Sequence, residues 1–176
     1  MNKETFLAAL ACPTYGWLIA RLKSAPAPPS LSDQWRMEEG LEVHQRARNC
    51  FPGGILIDNS SVASAAAETK AYLADKKVST IFEGTFTKED AVAKADILQR
   101  QKTRWHLIEV KSSINDKPEH IDDLAHTARV LKQAGLKISQ YSLWLISQEY
   151  RLGGPRHGSF YGKRRYGCSF GSGKRI

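Results

Sequence analysis

The 176-residue chain predicts an α+β (α/β) fold, a mixed central sheet flanked by helices. Three observations predict it. Three β-rich runs follow one another, VSTIFEGTF (78–86), AVAKADILQR (91–100) and WHLIEVKSS (105–113), with only the polar stretches TKED and QKTR between them. That order predicts an antiparallel meander open on one face to a helix. Segments of helical periodicity stand on both sides of the block, at 61–76 and 119–134. A further β-rich run, LKISQYSLWLIS (136–147), follows the second helix and extends the sheet. Hydrophobic residues make up 41% and charged residues 25%, an ordinary balance for a globular domain long enough to bury its own core. The expected division is one domain over 1–150 and a tail over 151–176.

The elements follow in order. Residues 4–22 carry Phe6, Leu7, Leu10, Ala11, Tyr15, Trp17 and Leu18 at helical spacing, with Pro13 inside, so two short helices or a kink are expected. The same stretch has a short apolar core like a secretory signal. Glu4 comes too early for one, however, and Tyr15, Trp17 and Arg21 occupy the place of a small-residue cleavage site. A mature helix and a cytoplasmic protein are expected. SAPAPPSLS (24–32) reads as a proline-rich linker. Residues 33–49 read as a helix with Asp33 as N-cap and Trp35, Leu41, Val43 and Ala47 supplying apolar contacts, broken by Phe51-Pro52-Gly53-Gly54. Ile55–Ile57 is a short strand. The Ala-rich helix at 61–76 presents Val62, Ala65, Ala66, Thr69 and Leu73 on one face. The helix at 119–134 presents Ile121, Leu124, Ala125, Ala128 and Leu131, and Gly135 suits the C′ position.

The net charge of +8 is unevenly spread. Residues 151–176 hold 7 Lys/Arg and no acid, so 19 of the 26 basic residues face all 18 acidic ones over 1–150, a balance of +1. This tail also holds 7 of the 13 glycines and shows neither helical nor strand periodicity, so no packed structure is expected in it. A basic tail can hold a polyanion by counterion release or can simply be a solvated terminus, and charge alone does not choose. No run approaches the ~20 apolar residues of a membrane span. Cys12, Cys50 and Cys168 stand apart with no CxxC pair, which gives neither a disulfide framework nor a zinc site, and Cys12 and Cys50 are expected as small buried hydrophobes.

The chemistry-bearing pattern lies in the middle strands. Asp96 stands near the end of one apolar run, and Glu109-Val110-Lys111 comes thirteen residues later in the next. Strand alternation puts Glu109 and Lys111 on one face, ~6.6 Å apart by Cα, with Val110 on the other. From a hairpin partner Asp96 can reach the face of Glu109. Two neighbouring carboxylates repel unless a cation lies between them, and hard oxygen donors suit Mg²⁺ or Mn²⁺. The same spacing is also that of an exposed ion pair on an amphipathic strand, which is common and worth little.

The ordered set of phrases is more specific. ETFLAALACPTYGWLIAR, GLEVHQRARNCFPGG, TIFEGTF, ADIL, LIEVKSS, HIDDLA and the run ending at Glu149-Tyr150 together resemble the PD-(D/E)XK nuclease superfamily, in its RecB-like and CRISPR-associated spacer-acquisition branch. Phe-Pro-Gly-Gly and HIDDLA look closest to an uncharacterised bacterial subfamily. The resemblance covers about residues 2–152 and implies a restriction-endonuclease-like sheet. It also implies a Mg²⁺- or Mn²⁺-dependent hydrolase of DNA phosphodiester bonds, an exonuclease among the alternatives, in repair, recombination or defence.

By position, the resemblance makes Asp96, Glu109 and Lys111 catalytic. Its metal ligands are His44, Asp96, Glu109 and the Val110 carbonyl. Glu83 matches an acidic position that is either a ligand or a partner of one. His120 and Asp123 approach DNA phosphates, or orient Lys111, or cap the following helix. The chain departs from the pattern in three places. Ala125-His126-Thr127-Ala128-Arg129 stands where the family carries Gln and Tyr. Of the four cysteines that the spacer-acquisition branch uses for an iron–sulfur cluster, only Cys12 and Cys168 lie in suitable regions, so no cluster is expected. The chain after Arg151 does not follow the family. A non-catalytic nucleic-acid-binding module and a subunit of a larger recombination complex therefore stay open. No base-reading motif is visible, so backbone contact without sequence specificity is expected.

Overall fold

A computed structural model describes residues 3–21 and 28–147, and the backbone of 164–166. Two short helices, α1 (Lys3–Ala11) and α2 (Pro13–Arg21), meet at Cys12, as a proline in the twelfth-to-thirteenth step requires. They cross so closely that a Cβ on Gly16 would stand 2.5 Å from the Ala9 Cβ. Helix α3 (Leu31–Arg48) begins two residues before the expected range and ends one residue short of it. Its N-cap is Ser30 rather than Asp33, and Asp33 closes the capping box from N3. Trp35 and Leu41 do not supply core contacts. They are 67% and 68% exposed, while Val43 and Ala47 carry the packing.

Strand β1 (Ile55–Leu56) leads into α4 (Val62–Ala74), capped by Ser61. Val62 lies outside its buried stripe, in which Ala65 and Thr69 are covered. The meander follows as expected, with β2 (Thr80–Lys88), β3 (Ala91–Gln101) and β4 (Arg104–Val110). Its two turns place Glu89 and Lys102 at positive φ. Arg100 of β3 ties the meander to the end of α4. Its guanidinium donates to the carbonyls of Leu73, Asp75 and Val78 and lies 4.2 Å above the Trp105 ring. It thus satisfies helix-end carbonyls that have no partner within the helix.

Helix α5 (Pro118–Gln133) returns the chain to β5 (Ile138–Trp144), which pairs parallel to β4. Gly135, at φ +90°, ends the helix in a Schellman motif, with its amide on Lys132 and the Leu136 amide on Leu131. Ala125 is exposed rather than on the packing face. Asp123, His126, Thr127 and Val130 join Leu124, Ala128 and Leu131 in burial.

The sheet runs β1-β2-β3-β4-β5-β6, parallel at its β1–β2 and β4–β5 pairs and antiparallel elsewhere. Within the tail, β6 (Arg164–Tyr166) pairs with β5, so those three residues have the regular structure that was not expected there. The rest of the tail lies outside the described residues, as does Cys168. One apolar cluster joins the sheet to α4 and α5, through Ala65, Ile81, Leu98, Leu107, Leu124 and Leu131. The other, Val43, Ala47, Phe82, Ile97, Ile108, Val110 and Trp144, lies under α3 on the opposite face. Phe51, from the Phe-Pro-Gly-Gly step, stacks on Trp144 at 5.4 Å. Among the described residues no helix is long and apolar enough to cross a membrane. Cys12 and Cys50 are exposed, not buried.

Candidate metal and catalytic centre

Helix α3 lies against the sheet through Val43 and Ala47, and this fixes the side on which His44 and Arg48 emerge. His44 Nδ1 stands 3.4 Å from Glu83 Oε1, and an Arg48 guanidinium nitrogen 3.8 Å from the same oxygen. Glu83 reaches this face by an irregularity. Phe82 already points under α3, so regular alternation would send Glu83 to the other side. A φ of +55°, rare for a side chain larger than glycine, turns it back. Register pairs on either side, Phe82↔Ile97 and Gly84↔Ala95, put Glu83 opposite Asp96. One ligand atom from each of His44, Glu83 and Asp96 lies within 4.8 Å of the others.

Asp96 is 9% exposed and joins the two middle strands. The β3–β4 ladder runs as far as Ile97↔Ile108, and beyond it the Val110 amide donates to Asp96 Oδ2 at 2.7 Å. Val110 thus enters the centre through its N–H, and its side chain packs under α3. Burial raises the Asp96 pKa above the ordinary carboxylate range, against the lowering pull of His44. His44 is raised in turn, first by its bond to Glu83. Each group leans on the other's charge.

Glu109 faces the α5 side with Lys111, as alternation predicts. It is 1% exposed, and burial followed by repulsion from Asp96 pushes its pKa up to about 8. Lys111 Nζ donates to Glu109 Oε1 at 2.9 Å and to Asp123 Oδ2. Burial opposes the Lys111 charge, but Glu109 and Asp123 outweigh it and hold the ammonium charged. Asp123 is held below its ordinary value, where Lys111 and Lys3 outweigh burial. Glu109 Oε2 is buried with no hydrogen-bond partner among the described residues.

The expected residues therefore gather into two adjoining groups. His44, Glu83 and Asp96 lie beneath α3, and Glu109, Lys111 and Asp123 lie beside α5. The Asp96–Val110 bond spans the strand ends between them. His120 and Asp123 do not cap α5. Its N-cap is Lys117, which makes no side-chain cap bond, and both residues lie within the helix. Asp123 orients Lys111, and burial, then Lys111, depresses the His120 pKa.

Two residues of the centre escaped the sequence reading. Arg48 follows His44 by four positions, so helical spacing carried that signal. Lys3 lies 2.6 Å from Asp123 Oδ1 and 3.6 Å from Glu109 Oε1, and nothing local in the sequence marks it. In comparisons with known proteins, no family model, no curated protein and no solved structure matches the chain.

Proposed function

We propose that this chain is a Mg²⁺- or Mn²⁺-dependent deoxyribonuclease of the PD-(D/E)XK type, built on a restriction-endonuclease-like sheet. The observation that carries the reading is a pair of carboxylates, Asp96 and Glu109, 9% and 1% exposed, both raised by burial, Glu109 further by repulsion from Asp96. Buried charges of one sign persist where a cation completes the site. The donors fit a hard divalent ion: His44, Glu83 and Asp96 each place one ligand atom within 4.8 Å of the others, and in the adjoining group the buried Glu109 Oε2 has no hydrogen-bond partner and is proposed as a further ligand. The Val110 carbonyl is proposed as a backbone ligand. When bound, the ion supplies Lewis acidity toward a phosphodiester oxygen and lowers the pKa of a water.

The protein's own residues supply the rest. Glu83 holds the His44 ring in place through Nδ1. Lys111, fixed by Glu109 and Asp123, presents an ammonium that offsets charge developing on the phosphate in the transition state. The nucleic acid is held by its backbone, and the basic tail adds sequence-independent attraction.

Incubation with linear single- and double-stranded DNA, with Mn²⁺, Mg²⁺ or EDTA, tests this. Cleavage is expected with metal, and it is expected to vanish in Asp96→Ala, Glu109→Ala and Lys111→Ala while DNA binding persists. Cleavage retained in all three variants rules the centre out. A second reading, a catalytically degenerate nucleic-acid-binding module, is favoured by His126 and Thr127, both 0% exposed, standing where a Gln and Tyr are otherwise expected. Metal-independent DNA binding without cleavage would select it. Membership of a larger complex draws support from Trp17, Leu31, Trp35 and Leu41, all more than 50% exposed on α2 and α3.

A further inference from the structure

Glu109, Lys111, Asp123 and Lys3 close into a ring of alternating charge. Lys111 bridges Glu109 Oε1 and Asp123 Oδ2, and Lys3 bridges Asp123 Oδ1, at 2.6 Å, and the same Glu109 Oε1, at 3.6 Å. Each Asp123 oxygen therefore takes one ammonium. Glu109 Oε1 faces both ammoniums, and Oε2 faces none. With both carboxylates ionised the ring is neutral, and its members come from β4 and the residue after it, from α5 and from α1.

We propose that Lys3 is a positioning residue of the catalytic centre. With Lys111 it holds Glu109 through Oε1, so that Oε2 is the oxygen offered to the divalent cation, and the N-terminal helix α1 completes the site. This rests on the metal-dependent nuclease reading and adds a residue and a helix to it.

Three features carry the step. Ion pairs of exposed lysines are usually worth little, but the side-chain exposures of these partners are 1% and 6%. Removing Lys3 leaves two buried carboxylates on one ammonium, which is the costly case. Turning the Glu109 carboxylate out of its plane would break both ammonium contacts, so the ring fixes the group with one oxygen on the ammoniums and the other without a hydrogen-bond partner. Finally, α1 is anchored independently of the ring. Phe6, one turn from Lys3, packs on the His126 ring at 4.8 Å beneath the Arg129 guanidinium. The position of Lys3 is therefore set by packing.

The test uses the full chain with Lys3→Met and Lys3→Arg. Mn²⁺ binding is measured calorimetrically without DNA, and kcat and KM are measured separately. Lys3→Met is expected to weaken Mn²⁺ binding about tenfold, the effect of losing one charge-assisted hydrogen bond. It should lower kcat with KM for DNA little changed, and Lys3→Arg should restore most of both. Mn²⁺ affinity in Lys3→Met equal to or tighter than wild type overturns the proposal. So does a rise in KM alone, which would make Lys3 a phosphate contact. A wild-type protein that binds no Mn²⁺ overturns the nuclease reading and with it the role of Oε2. The ring is then read separately in the metal-free protein, by a denaturation double-mutant cycle of Lys3→Met and Asp123→Asn. Coupling between the two supports Lys3 as a ring member, and additivity overturns it.

Discussion

Replacing Glu109 by Gln removes the charge from the most deeply buried carboxylate and keeps its volume. Burial and Asp96 lift its pKa in the folded protein from the ordinary 4.5 to about 8. The folded state therefore holds a proton that the unfolded chain releases between those values, and stability falls as pH rises through that window. At ~1.4 kcal/mol for each tenfold change, the interval from 4.5 to about 8 corresponds to an upper limit of ~5 kcal/mol, part of it shared with Asp96. Half of that, ~2.5 kcal/mol, moves the Tm of a domain this size by roughly 5–10 °C. The assay is thermal unfolding of metal-free wild type and Glu109→Gln from pH 5 to pH 9. Gln differs from the protonated acid in its contacts to Lys111 and Lys3 by an amount that does not depend on pH, and the contacts of the ionised form are already contained in the folded pKa. The Tm difference, variant minus wild type, is expected to climb with pH and level off above about 8. Mn²⁺ should then raise the wild-type Tm above neutral pH and leave the variant unmoved. A difference that stays flat from pH 5 to pH 9 would refute the account of Glu109 as an acid whose pKa is raised by burial.

Other expectations concern the supports of the centre. Glu83→Gln removes the strongest influence raising the His44 pKa, so an NMR titration should show His44 titrating lower than in wild type. An unchanged midpoint would mean that the Nδ1–Glu83 contact is not formed in solution. Gly16→Ala drives a Cβ against the Ala9 backbone, 2.6 Å from its Cα. It should cost about 1–3 kcal/mol and loosen α1, seen as faster amide exchange at residues 5–11. Slow exchange and an unaltered Tm would mean that the helices cross less closely. Gly135→Ala places a side chain at φ +90° and should lower the Tm by roughly 2–4 °C, for a cost of about 1 kcal/mol. No change would argue against the Schellman ending.

Much of this arrangement was legible in the residues, and the exceptions have physical causes. Alternation placed Glu109 and Lys111 together and Val110 opposite, because β4 is regular up to its end. It could not place Asp96 with Glu83 and His44, because Glu83 leaves the regular strand conformation there and periodicity carries no sign of a positive φ. The capping of α3 was misread by one turn. Ser30 and Asp33 both suit an N-cap, and only the paired bonds separate cap from N3. Trp35 and Leu41 are apolar at helical spacing, which suggests core, yet both are mostly exposed among the described residues. Lys3 was invisible for a different reason: its partners lie more than a hundred positions away, and no local pattern encodes such a meeting.

The break in alternation at Glu83 also bears on how crowded a sheet surface can be. A regular strand delivers one side chain to a given face every ~6.6 Å, so each polar group placed there normally displaces an apolar one. Here Phe82 and Glu83 share one lane beneath α3, and so do Ile97 and Asp96, the first of each pair still sealing the core. The functional groups are added to the hydrophobic layer rather than substituted into it. A chain redesigned to strict alternation at these two points would have to give up either the carboxylates or the floor on which they stand.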